Sequence, residues 1–111
     1  MAISKLIKDE RDAIMTWHEI DHYTTNFNGA GTVVIRSFAN GATYADEVKA
    51  RQAGDSTKDL SLNTFSVQIP EGTEISKDAI EKELLKKDYF KEKSSRQRWN
   101  FETDKPEQIK E

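Results

Sequence analysis

The chain has 111 residues, with 17 Lys and Arg set against 20 Asp and Glu, for a formal net charge of −3. That is the length of one domain and not the overall basic field that would hold a polyanion. It contains no cysteine, which excludes a disulfide framework, a thiolate metal site and a Cys nucleophile. No apolar run reaches the roughly 18 residues of a membrane span, and the charged stretch Met1 to Asp12 does not read as a signal peptide. The expectation is a soluble product synthesised in the cytoplasm.

Residues 1–12 are expected to form an N-terminal arm or short helix, because Ile3, Leu6 and Ile7 recur at helical spacing. A stripe that short must pack on the domain or on another chain. Next, Met15 to Thr25 is rich in Thr, Trp, Tyr and Ile, which suit a pleated surface. Asn28-Gly29 signals a two-residue hairpin loop, and Thr32-Val33-Val34-Ile35-Arg36 forms the return strand, giving a hairpin over 14–39. With that loop, Phe27 faces Ala30, Thr24 pairs with Val33, His22 with Ile35, Asp21 with Arg36 and Ile20 with Ser37. Gly29 and Gly31 also permit a longer loop or a bulge.

Asn40-Gly41 ends the second strand. Ala42 to Gly54 is Ala-rich and closes with Gly, as a short capped helix or an extended crossover would. Asp55 to Asp59 is a loop. The strand over 60–69 alternates Leu60, Leu62, Phe65, Val67 and Ile69, with a phase shift at Asn63-Thr64 that suggests a bulge. Ile69-Pro70-Glu71-Gly72 has the composition of a type I turn. A helix over 76–90 follows, with Ser76 at N-cap, Asp78 in its first turn and Ile75 stapled onto Ile80; Ile80, Leu84, Leu85 and Tyr89 form its buried stripe. Residues 92–111 read as a polar, partly flexible C-terminal segment. The fold expected is α+β: one domain over 13–91, a small antiparallel sheet of three or four strands packed by the helix at 76–90.

His18-Glu19-Ile20-Asp21-His22 matches the H-E-x-x-H pattern of zinc metalloproteases. That pattern works only on a helix, where both imidazoles share one face and the Glu activates a water. On a strand rising about 3.3 Å per residue, the two His backbones stand roughly 13 Å apart and Glu19 points to the other face. Local composition favours the strand, and with only two His in the chain a third ligand would have to be a carboxylate. Gly29-Ala30-Gly31 lacks the third Gly and helix of a dinucleotide fingerprint. Acid pairs such as Asp46-Glu47 fit a solvated helix face, and no Ser lies in a strained strand-to-helix turn. No enzyme activity, cofactor or metal site is therefore expected. Lys91 to Arg98 carries four positive charges and one negative beside Trp99 and Phe101, a combination able to hold phosphate and stack on bases. The blander alternative is a segment that anchors its own aromatics.

The chain has ten aromatic residues, counting 2 Trp, 3 Tyr and 5 Phe. That is a surplus for one thin core, and it nominates Trp17, Tyr23, Phe38, Trp99 and Phe101 as partner-binding residues. Trp17, Tyr23, Val34 and Phe38 are expected on the opposite face of the hairpin from Ile20, Val33 and Ile35. A sheet apolar on both faces is sandwiched, by its own helices or by another subunit.

The hairpin from Thr16 to Phe38, then Tyr44 to Gly54 and the strand Thr64 to Ile69, resembles small tail-region proteins, tail-tip or baseplate-associated, of siphophages infecting Gram-positive bacteria. The resemblance covers roughly residues 14 to 90. It implies a non-enzymatic structural or protein-binding module, made in the host cytoplasm and carried on the virion tail. Such a module acts by homo-oligomerisation and docking to tail-tip or host-surface partners. Two other classes compete: a small zinc metallohydrolase using His18, Glu19 and His22, and a nucleic-acid accessory protein binding through Lys91 to Phe101.

Overall fold

The computed structural model describes residues 2–25, 30–74, 76–90 and 95–109. Among them run β1 (Ala2–Lys8), β2 (Ile14–Thr25), β3 (Gly31–Phe38), α1 (Gly41–Gln52), β4 (Asn63–Ile69), α2 (Lys77–Leu85), β5 (Ser95–Asn100) and β6 (Lys105–Gln108). All six strands join one antiparallel sheet in the order β4-β3-β2-β1-β5-β6. The expected α+β fold, with three or four strands packed by a helix at 76–90, is thus corrected to a mostly β fold with two short helices.

Both chain ends account for the difference. Residues 2–8 form no helix or arm; they make β1, an inner strand between β2 and β5. Its successive residues Ala2 and Ile3 are both 1 % exposed, each facing a different core. A seven-residue apolar pattern cannot distinguish helix from strand on its own, and pairing on both sides decided it. The C-terminal segment is likewise structured over 95–109, as the β5-β6 hairpin. Its polar side chains pair across the sheet and with α2, which composition alone conceals. Lys91 to Ser94, the start of the basic run, lie outside the described residues.

The hairpin of β2 and β3 forms, in a different register. Trp17 pairs with Phe38, His18 with Ser37, Glu19 with Arg36 and Ile20 with Ile35; after a shift at Asp21, His22 pairs with Val34, Tyr23 with Val33, Thr24 with Thr32 and Thr25 with Gly31. Asn28-Gly29 and Phe27 lie outside the described residues. The irregularity at Asp21 has a large consequence, because one extra residue moves everything beyond it to the other face. Tyr23 therefore joins Ile20, Val33 and Ile35, not Trp17 and Phe38.

Each face has its own core and its own helix. On one, Ile3, Val33, Ile35, Val67 and Ile69 meet Ile80 and Leu84 of α2, and Phe90 just beyond it. On the other, Ala2, Trp17 and Phe38 meet Tyr44 of α1, with Leu60 and Trp99. The two apolar faces are thus covered from within the chain.

Local chemistry sets the helix ends. Asn40 caps α1 by accepting from the Thr43 N–H at 2.9 Å. At its far end Gly54 (φ 109°) closes a Schellman pair, with Gly54 N donating to Arg51 O and Asp55 N to Ala50 O. Ser76 caps α2 by accepting from Ala79 N at 3.1 Å. The staple from Ile75 lies outside the described residues. Helix α2 stops at Leu85, so Tyr89 is 56 % exposed and Phe90 takes the buried place. The turn after β4 is Pro70 to Thr73, closed by Thr73 N donating to Pro70 O, and Gly72 (φ 86°) is its third residue; that is the type II pattern, not type I.

Candidate interaction surface

The H-E-x-x-H segment is extended within β2. His18 faces the α2 core, whereas Glu19 and, because of the shift at Asp21, His22 face the other way. Among the described residues no three of His, Asp and Glu gather where they could hold a metal ion. Nor is His18 accessible: it is 1 % exposed, edge-on to Phe90 at 5.2 Å. Its Nε2–H donates to the Lys5 carbonyl at 2.8 Å, which leaves Nδ1 to accept from the Ser37 hydroxyl at 2.7 Å. Burial holds this imidazole below its ordinary pKa and so neutral. At the surface of β2, His22 Nδ1 meets Asp21 Oδ2 at 2.7 Å.

The charged side chains nearest the cores are paired. Glu47, 2 % exposed in α1, takes both arms of the Arg36 guanidinium and also accepts from Leu60 N at 2.8 Å. Arg36 reaches Asp59 at 2.6 Å and Asp21 at 3.8 Å, so the expected Asp21–Arg36 ion pair survives although the two are not register partners. Hydrogen bonds from Ser61, then from Arg36, hold the Asp59 carboxyl well below the usual range. Burial first, then the Glu19 and Glu47 charges, push the Tyr44 phenol up to about 12. On the α2 side, Arg96 Nε donates to fully buried Glu81 at 2.6 Å and reaches Asp78 at 3.1 Å. Burial nevertheless raises the Glu81 pKa, and its Oε1 has no hydrogen-bond partner among the described residues. Arg98 meets Glu107 at 3.0 Å. The described part of the basic segment is thereby neutralised by its own fold.

The five nominated aromatics separate by burial. Trp17 (2 % exposed) and Phe38 (0 %) are core residues around Tyr44. Tyr23 is half-buried on the α2 side. Trp99 is half-buried against Trp17, leaving Phe101, 45 % exposed and edge-on to Trp99, as the outward member. Most of the surplus thus builds the second core, under α1.

What the sheet leaves open is its rim. An open groove of about 580 Å³ beside the start of β4 is lined by Asp9, Glu10, Arg11, Ser61, Asn63 and Thr64. Asp9 is committed there to the turn, accepting from Arg11 N and Ala13 N at 2.9 Å. Beyond the groove runs β4, paired only with β3 among the described residues, with Thr64, Ser66 and Gln68 exposed. Sequence reading missed this surface. The signal for it was present: a strand of uncharged residues with β-branched and aromatic members.

Among the described residues no helix is long and apolar enough to cross a membrane. Comparison with protein-family models, with curated proteins and with solved structures found no match to this chain.

Proposed function

We propose that this chain is a non-enzymatic structural or protein-binding module of a phage tail, acting by self-association and by docking to tail-tip or host-surface partners. The observation that carries the reading is the order of residues in the hairpin Thr16 to Phe38, the segment Tyr44 to Gly54 and the strand Thr64 to Ile69, which resembles small siphophage tail-region proteins. Two features of the molecule support its non-catalytic part. His18, Glu47 and Glu81 are sealed in structural pairs, and the H-E-x-x-H residues diverge onto two faces. The open rim of the sheet suits a module that works through contact.

The test is co-purification of the tagged chain with products of the neighbouring tail genes, together with mass spectrometry of purified virions. Retention of a tail-tip protein, or the chain in the virion, is the expected outcome. A chain that retains no tail protein and is missing from virions refutes the reading.

A further inference from the structure

We propose that β4 is a self-pairing edge, through which two copies of the chain join in antiparallel β4-β4 contact about a twofold axis at Ser66, making one sheet continuous across both copies. This rests on the interaction-module reading above and names the partner as a second copy of this chain.

Strand β4 ends the sheet, so alternate N–H and C=O groups along it point outward with no strand to meet them among the described residues. Exposed edges are ordinarily blunted by charge, proline, a bulge or brevity. Asn63-Thr64-Phe65-Ser66-Val67-Gln68-Ile69 has no charge and no proline, and its pairing with β3 runs over all seven residues without a register shift. The opposite edge is different. Strand β6 has only four residues, with Pro106 lacking an N–H and Lys105 and Glu107 beside it. One open and one blunted edge favour a closed pair over a growing ribbon.

The strand also suits its own copy. Pleating requires residues of one face to oppose each other, so the axis must pass through a residue. Centring on Ser66 engages the whole strand: Ser66 opposes its own copy, Phe65 opposes Val67, Thr64 opposes Gln68 and Asn63 opposes Ile69. Phe65 and Val67 lie on the α2 side, where Tyr89 packs on Phe65 with ring centroids 5.5 Å apart, so apolar surface continues across the joint. The exposed Thr64, Ser66 and Gln68 bring no like charges together at the axis.

Sedimentation equilibrium of the full chain over a concentration series tests this. Wild type is expected to move from one-chain to two-chain mass. Ser66→Lys and Ser66→Glu, both at an exposed position, place like charges directly opposite across the axis, and each is expected to weaken dimerisation by about fivefold. Their circular dichroism should remain that of wild type. Mixing the two variants places opposite charges across the axis and should restore the dimer. A wild type that stays one chain throughout, a dimer insensitive to both substitutions, or a mixture no tighter than either variant overturns the proposal. A dimer that retains no tail protein and is missing from virions would refute the proposed function alone, and a monomer that docks to the tail would refute only the self-pairing.

Discussion

His18 shows how a histidine in a suggestive motif can be wholly structural. Both ring nitrogens are engaged, by Lys5 O and the Ser37 hydroxyl, and the site favours the neutral ring. Since its folded pKa lies below the ordinary imidazole value of 6.5, the unfolded chain takes up the proton first as pH falls. Stability is therefore unaffected by this residue above about pH 6.5 and declines below it, until the folded pKa is passed. Urea unfolding at about pH 7.5 and about pH 5 should show a larger loss in wild type than in His18→Gln, whose side chain cannot titrate; equal losses would disprove the assignment. Glu47 is the second sensitive residue. Glu47→Ala leaves Arg36 with only exposed or distant acids and Leu60 N without its acceptor. The expected cost is about 3 kcal/mol, the low end for breaking a buried ion pair, read from the urea midpoint.

At the scale of elements, caps and close approaches dominate. Ser76→Ala removes the acceptor for Ala79 N and should destabilise the fold by about 1 kcal/mol. Gly41 opens α1 where two indoles converge: a Cβ there would lie 2.9 Å from both Trp17 Cε3 and Trp99 Cζ3. Gly41→Ala should cost about 1–3 kcal/mol by overpacking, measured by thermal melting, and an unchanged melting temperature would count against the tight seat of α1. The N-cap Ser76 and the strands expected over 14–25, 32–39 and 60–69 were legible because their signals are local, a capping hydroxyl, β-branched runs and alternation, although the last begins only at Asn63 and pairs with β3 without the bulge expected at Asn63-Thr64. Strand β1 was not. Its Ile3, Leu6 and Ile7 fit a helical stripe as well as a strand, and Leu6, 61 % exposed at the irregular stretch between Ser4 and Ile7, broke the alternation that would have exposed it.

For the whole molecule, the chain ends are structural necessities. Strand β1 links the hairpin of β2 and β3 to the C-terminal hairpin, and Arg96 from β5 neutralises buried Glu81. A chain ending at residue 94 strips β1 of one neighbour and leaves Glu81 without its arginine. It is expected to lose cooperative unfolding, whereas a trimmed flexible tail would leave the melting curve unchanged. The candidate surface changes at this scale as well. Aromatic count pointed to Trp17 and Phe38, but α1 covers them, and the exposed feature is the uncharged edge of β4.

By itself the sequence determined what is set by near neighbours in the chain: three of the strands, the Ser76 helix cap, the missing thiol chemistry, and an extended His18 to His22 whose imidazoles cannot act together. Tertiary structure decided the rest, because pairing partners distant in sequence supply the free energy that local propensity lacks. It made strands of both chain ends, and through one extra residue at Asp21 it turned Tyr23 and His22 to opposite faces from those an unbroken alternation assigns. It also left β4 at the rim, a position that no local pattern encodes.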